Sequence, residues 1–390
     1  MNILWIGSVY WRSDNGDYLF NPKDAGSVSA SFFSQSIISG VEELGNNIKI
    51  LGTINHLEKK RMNWAHNGVS NDLYLKGLKN KFFNLFYKTF LLKKEIRSNH
   101  RILDSIDIVM VYGAYLPYIN CACAIKKKNP NIKIVLVCPD LSEYMDPAIN
   151  KKPIKKALKS LIVKKLKTKY LQFDGFVVFT DKMMEKLNPN SKHLVIEGVC
   201  SDTMPLEPRC TDNRLVLYAG SLSANFGIQN LVDSFSLLKK RDVKLLIYGS
   251  GELDLYLSKK SKELDNVFYG GFIEPAELKR KYREAALLIN VRNPNDEYTK
   301  YSFPSKTFEY LASGTPFMTT KLEGVPPEYD DYCLYINDNN PMTIAESIDS
   351  FFDIPTDQRR EIGEKGRAFV LNNKNKAVQS EKIVLFLKNL

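Results

Sequence analysis

Residues 303–316, "FPSKTFEYLASGTP", bring a hydroxyl, an ammonium and a carboxylate together at the start of one predicted helix: Ser305, Lys306 and Glu309. Pro304 near the first turn, Gly314 just past the last and Pro316 beyond it frame that helix, because proline suits a helix start and glycine its exit. Phe308, Leu311 and Ala312 form its apolar stripe, so the three polar residues lie off the buried face. Unpaired N–H groups and the helix dipole favour an anion at that end. Ser305 adds a hydroxyl and Lys306 a full charge, which together suit a diphosphate. Glu309, one turn deeper, can accept two hydrogen bonds from a vicinal diol such as a ribose. The bland alternative is a Lys306–Glu309 surface pair worth about 0.2–0.5 kcal/mol. Residue types leave both readings open, and the placement of the helix favours the first.

That placement comes from the flanking elements. The helix falls between the predicted strands "ALLINVR" and "PFMTT", in a half that also carries "LVLYAGS", "VKLLIYGSG" and "NVFYGGF". The first half has the same rhythm: "NILWIG", a helix over "VSASFFSQSIISGVEEL", then strands "NIKIL", "DIVMVYG", "IKIVLVC" and "GFVVFT". Short apolar runs separated by helices predict α/β architecture with parallel sheets covered on both faces. Ligands of such sheets bind beyond the strands' carboxyl ends. Glycines sit there at Gly220, Gly249, Gly251, Gly270 and Gly271, where they permit tight turns and close backbone approach. None fits G-x-G-x-x-G or a P-loop, which excludes those dinucleotide and ATPase fingerprints. The polar run 200–214, "CSDTMPLEPRCTDNR", predicts a linker between domains 1–199 and 215–374. Residues 375–390 predict a last helix packing back across the domains.

Length and composition agree with two folded domains. The chain has 390 residues, 44% hydrophobic and 25% charged, too long for one ordinary core and too apolar for disorder. No basic leader precedes "MNILWIG", and no apolar run reaches the roughly 18–20 residues of a spanning helix, so a cytoplasmic location is expected. The six cysteines and four histidines show no zinc-ligand spacing, and the cysteines read as small core residues. There is no Asp-x-Asp in the chain, so no metal or other cofactor is expected. The net charge of +11 fits phosphorylated substrates, an anionic membrane or nucleic acid, or a lysine-rich habit of composition.

The run "LVLYAGSL…LLIYGSGE…VFYGGFIEPAELKRKYREAALLINVR…FPSKTFEYLASGTPFMTT", with "HLVIEGV" before it, resembles the retaining glycosyltransferases of family 4, which have the GT-B fold. The likeness covers nearly all of the second half and is looser in the first, where it rests on "NILWIG", "DAGSVSASFF" and the domain order. It is nearest to a branch with a Pro-Ser-Lys helix found in bacterial capsule, exopolysaccharide and O-antigen pathways. The resemblance implies two Rossmann-like domains facing a cleft, the first binding acceptor and the second a nucleotide-diphosphate sugar. It implies that Glu309 holds the donor ribose, and that Ser305, Lys306, Gly220 and Ser221 approach its diphosphate. Phe272 and Ile273 would hold the base, with Gly249 at the same edge and Gly26 on a loop closing over the donor. Two positions depart from the pattern. Tyr301 stands eight residues before Glu309, where the family places a first glutamate, and Ser221 and Phe226 replace a usual Arg and Lys. Lys306 and Arg292 are then the candidate cations for the leaving diphosphate.

Transfer with retention needs orientation and stabilisation of charge on the diphosphate rather than a pair of carboxylates. Asp140, in "VCPDLSEY" after a predicted strand, is a candidate for contact with acceptor or donor sugar, with a turn aspartate as the alternative. Residues 78–97 and 151–172 combine apolar and lysine-rich character in the manner of helices at anionic bilayers, or of surface helices with one solvated face. Both lie in the expected acceptor domain, which predicts a lipid-linked oligosaccharide acceptor and peripheral membrane association. Nucleic acid is not expected as a partner, since no binding motif appears. A binding-only descendant, or an epimerase or hydrolase on the same fold, stays open.

Overall fold

A computed structural model describes residues 1–11, 28–55, 57, 59–68, 70, 72–78, 81–98, 103, 105–144, 153–200 and 213–390. Gly26 and most of the expected linker, 201–212, lie outside the described residues. The chain divides into two units, Met1–Val199 with Lys376–Leu390, and Cys200–Asn375.

The first unit runs β1 (Asn2–Ile6), α1 (Val28–Glu43), β2 (Asn47–Ile54), β3 (Arg61–Trp64), β4 (Asp72–Lys76), α2 (Lys81–Ser98), β5 (Ile108–Tyr112), α3 (Leu116–Lys128), β6 (Lys133–Cys138), α4 (Pro153–Tyr170), β7 (Gly175–Val178) and β8 (His193–Val195). Its sheet has the order β3-β4-β2-β1-β5-β6-β7-β8. The runs "NILWI", "IVMVY" and "KIVLVC" are buried almost throughout, as strands covered on both faces must be. Cys121, Cys123, Cys138, Cys200 and Cys333 are buried, in keeping with their reading as core residues.

The second unit runs β9 (Leu215–Ser221), α5 (Ile228–Leu237), β10 (Lys244–Ser250), α6 (Asp254–Glu263), β11 (Val267–Gly271), α7 (Pro275–Glu284), β12 (Leu287–Asn290), α8 (Lys306–Ala312), β13 (Phe317–Thr320), β14 (Leu334–Ile336), α9 (Pro341–Phe351) and α10 (Thr356–Asn373). Its sheet order is β11-β10-β9-β12-β13-β14, and every pairing is parallel. The chain builds outward from β9 in one direction and, after β11, in the other. The β9/β12 boundary is therefore the switch point at which open sheets hold ligands. The last helix, α11 (Lys376–Lys388), belongs to the first unit and packs on α1. The helices meet so closely that a Cβ at Gly40 would lie 2.1 Å from the Ser380 hydroxyl.

Four short strands, β3, β4, β8 and β14, escaped the reading of the sequence, and one departs from the expected parallel order: β3 pairs antiparallel with β4. An antiparallel pair needs only a short turn, whereas a parallel one needs a crossover. As an edge strand with a half-exposed alternating pattern, β3 offers no apolar run to find. A buried charge cluster holds the hairpin instead. His66 presents Nδ1 to the Asp72 carboxylate at 2.7 Å and Nε2 to Glu42 of α1 at 3.1 Å. Asp72, fully buried, also accepts from the Ile50 and His66 backbone N–H groups and from the Ser70 hydroxyl. The Trp11 ring stacks on the imidazole at 4.8 Å.

Burial opposes charge on His66, but hydrogen bonds to Asp72 and Glu42 and their charges outweigh it and push the imidazole up to about 9. A folded pKa above the unfolded one gives stability that is complete below the unfolded value, near 6.5, and is lost as pH rises through about 9. The three tryptophans, Trp5, Trp11 and Trp64, all lie in this unit, so their emission reports its unfolding. The stability gap between wild type and His66→Gln should narrow by on the order of 2–3 kcal/mol across that window; a gap independent of pH would mean that the imidazole is neutral.

Candidate active site

The site builds from the carboxyl end of β9. β12 pairs with β9 only at Leu287–Val216 and Leu288–Leu217, so beyond Leu217 the strands part and Ala219 lacks a strand partner on that side. The Tyr310 hydroxyl of α8 takes over both bonds, accepting from the Ala219 N–H at 2.8 Å and donating to its carbonyl at 2.9 Å. Tyr310 is almost wholly buried, edge-on to Tyr282 of α7 and Phe317 of β13. Burial pushes its phenol well above 10, so the hydroxyl keeps its proton. One side chain thus anchors the first turns of α8 beside the Gly220–Ser221 turn.

Ser305 caps α8 in helical conformation without a side-chain cap bond, which leaves its hydroxyl for another partner. Lys306 donates to Glu309 Oε2 at 2.7 Å, and the Tyr282 hydroxyl donates to the same oxygen at 3.2 Å. The Tyr282 phenol is also raised well above 10 by burial and stays a donor. Both bonds fall on Oε2, so among the described residues Oε1 has no hydrogen-bond partner. The surface-pair alternative is therefore half right. Lys306 and Glu309 do pair, with side chains 32% and 41% exposed, but a buried tyrosine below them fixes the carboxylate and turns its other oxygen outward.

The loop after Gly220 is tied at nearly every residue. Ser221 presents its carbonyl to the Tyr218 hydroxyl at 3.0 Å. Glu252 accepts from the Ser223 hydroxyl at 3.0 Å and the Ala224 N–H at 2.6 Å, and the Tyr298 hydroxyl donates to the Asn225 carbonyl at 3.0 Å. Phe226 then lies under the Arg292 guanidinium, 4.6 Å from ring centre to carbon. Arg292 follows β12, and its carbonyl accepts from Thr320 of the next strand. The aromatic ring supports the guanidinium at this edge of the sheet. Tyr301, the other departure, is a core side chain, 6% exposed.

Two glycines let strand ends approach each other closely. Gly249 has φ +141°, and a Cβ there would come within 1.9 Å of the Gly220 carbonyl. Gly227 has φ +75°, and its Cβ would lie 2.0 Å from the Val291 carbonyl. They allow backbone to approach backbone, which closes the strand ends into one edge. Gly220, Ser221, Gly249, Arg292, Ser305, Lys306 and Glu309 thus share the switch-point end of this sheet. Phe272 and Ile273 follow β11, the far edge strand, with Phe272 72% exposed. Asp140 belongs to the first unit, exposed after β6, where its carbonyl accepts from Cys138 Sγ. Tyr310, Tyr282, Tyr298 and Glu252 had no signal in the sequence, since each acts on a partner tens of residues away, while Tyr218 acts three residues along its own strand end. Among the described residues no group of three His, Cys, Asp or Glu side chains is placed to hold a metal ion.

Tyr310→Phe leaves two buried backbone groups without a partner and should cost about 1–3 kcal/mol. Tyr282→Phe, which removes one bond to a partly exposed carboxylate, should cost less than about 1 kcal/mol. Urea unfolding followed by far-ultraviolet circular dichroism compares them; equal losses would refute the anchoring role of Tyr310.

With this geometry in view, residues 206–369 match the family model of the group 1 glycosyl transferases. No curated protein matches the chain. Solved structures of similar fold include a sucrose-phosphate synthase from Thermosynechococcus elongatus (TM-score 0.70, 12% identity, covering 100% of this chain and 99% of that one). A glycosyltransferase from Rickettsia africae gives 0.65 at 17% identity, covering 100% and 98%. A UDP-forming α,α-trehalose-phosphate synthase from Burkholderia xenovorans, in complex with glucose-6-phosphate, gives 0.67 at 12% identity, covering 99% of each chain. The chain thus has the GT-B fold, and its second unit carries the match to the group 1 glycosyl transferases, with α8 inside the matched residues.

Proposed function

We propose that the protein transfers a sugar, with retention, from a nucleotide-diphosphate sugar to a lipid-linked saccharide, in the manner of family 4 enzymes of bacterial surface polysaccharide synthesis. The observation that carries this reading is the Glu309 carboxylate, pinned through Oε2 by Lys306 and Tyr282 with Oε1 turned outward. A carboxylate so oriented suits the hydroxyls of a ribose. The diphosphate would lie on the Gly220–Ser221 turn, within reach of Ser305, Lys306 and Arg292. The base would rest near the backbone of Phe272 and Ile273 and Gly26 would close over the donor, while the first unit, residues 1–199, takes the acceptor.

In the proposed reaction the acceptor oxygen forms its bond to the anomeric carbon on the face from which the diphosphate departs. The bond from that carbon to the diphosphate oxygen breaks, and the acceptor proton passes to the departing diphosphate. Charge grows on the leaving oxygens, so fixed cations do most of the work. Lys306 gives part of its charge to Glu309, which leaves Arg292, held against Phe226, as the second donor of positive charge. Asp140 is proposed to orient a sugar hydroxyl. Stacking of Arg292 on Phe226 favours an enzyme over a binding-only descendant, because the cation is kept although its usual position is lost. The Burkholderia protein is UDP-forming and holds glucose-6-phosphate, which makes UDP the first nucleotide to test and a sugar phosphate the acceptor to set against a lipid-linked one.

A thermal-shift screen of UDP, GDP, dTDP and CMP sugars should show one class stabilising the wild type by about 2–3 kcal/mol at a hundredfold excess over Kd, with the effect lost in Glu309→Ala. No shift with any of them would remove the donor site. Asp140→Asn should lower kcat far more than it changes donor affinity; an unchanged kcat would take Asp140 out of the site.

A further inference from the structure

On the outer layer of the first unit, α2 packs against α3, and α3 against α4. The buried side of α2 carries Leu92 and Ile96, 0% and 6% exposed. Its other side carries Phe83, Phe86 and Phe90, exposed by 60%, 65% and 62%. Spacings of three and four residues line the three rings up along one helix face. A soluble surface seldom keeps such a stripe without a use for it.

The stripe ends in charge. Phe90, Lys93, Lys94, Arg97 and Ser98 line a hollow of about 190 Å³ at the carboxyl end of α2. Glu95, the one acid in this helix, pairs with Arg61 at 3.1 Å and so offsets little of that charge. Beside α3, α4 has seven lysines and no acid, and its Leu161 is 66% exposed. Apolar rings next to a cationic hollow match the two layers of a bilayer surface, acyl chains below phosphate headgroups. A second copy of the chain on the same face would set these cations against their own images.

We infer that α2 is the element by which the protein sits on an anionic phospholipid bilayer. Phe83, Phe86 and Phe90 enter the acyl region, and Lys93, Lys94 and Arg97 close around a headgroup phosphate, with the lysines of α4 drawn to the same surface. This deepens the reading of a lipid-linked acceptor and rests on it for its purpose, but its test needs neither donor nor turnover.

The experiment is flotation of the full chain with vesicles of phosphatidylcholine, with and without phosphatidylglycerol. Wild type should float with the anionic vesicles. The triple variant Phe83→Ser, Phe86→Ser, Phe90→Ser should lose about tenfold or more in partitioning while keeping its nucleotide-sugar thermal shift, which separates this surface from the donor site. Lys93→Gln, Lys94→Gln, Arg97→Gln should lose the preference for phosphatidylglycerol. Should the serine variant fail to fold, Phe86→Trp serves instead, and its added emission should move to shorter wavelength on anionic vesicles. The inference falls if wild type stays in solution, if the serine variant floats as well as wild type, if Phe86→Trp shows no shift, or if the serine changes only dissolve a dimer.

Discussion

Two hydrogen bonds between the Tyr310 hydroxyl and the Ala219 backbone hold the candidate site together. They lie where β12 leaves β9, at the place where the sheet order reverses. A parting of strands in a buried sheet exposes an N–H and a carbonyl that must find partners. A phenol supplies both, because it can donate and accept at once. Since that phenol belongs to α8, satisfying the strand also places the helix, and with it Ser305, Lys306 and Glu309, beside Gly220 and Ser221.

The remaining geometry follows from this anchor. Tyr282 packs edge-on to Tyr310 and directs its own hydroxyl to Glu309, so one aromatic contact passes the position of β9 on to the carboxylate. On the other side of the turn, Glu252 and Tyr298 fix the loop that brings Phe226 under Arg292. The Phe226 ring carries the guanidinium of Arg292, which follows β12, and Tyr301 serves the core.

Much of the architecture was legible in the sequence, because apolar runs separated by helical stretches report a parallel sheet directly. The bounds of β9, β12 and α8 follow from local punctuation such as Gly314 and Pro316. Elements that depend on distant partners were not legible. β3 and β4 have weak local patterns and are held by His66 and Asp72, and α1 contributes Glu42 to that cluster from 24 residues away. Why Gly249 must be glycine was not legible either, since the Gly220 carbonyl that excludes a Cβ there belongs to the neighbouring strand. In the site, the types and spacing of Ser305, Lys306 and Glu309 suggested the chemistry, while the tyrosines that aim them are 27 and 91 residues from the groups they hold.

The proposed donor site depends on Glu309 Oε1 receiving the ribose hydroxyls of the donor. A cycle of calorimetric titrations tests it, using the nucleotide diphosphate and its 2′-deoxy and 3′-deoxy forms against wild type and Glu309→Gln. Wild type should lose on the order of 1.5–3 kcal/mol when a contacted hydroxyl is removed, and Glu309→Gln far less, so that ligand and side chain are coupled. Equal losses in both proteins would place the ribose elsewhere and leave Lys306 and Glu309 as an ion pair on a helix surface.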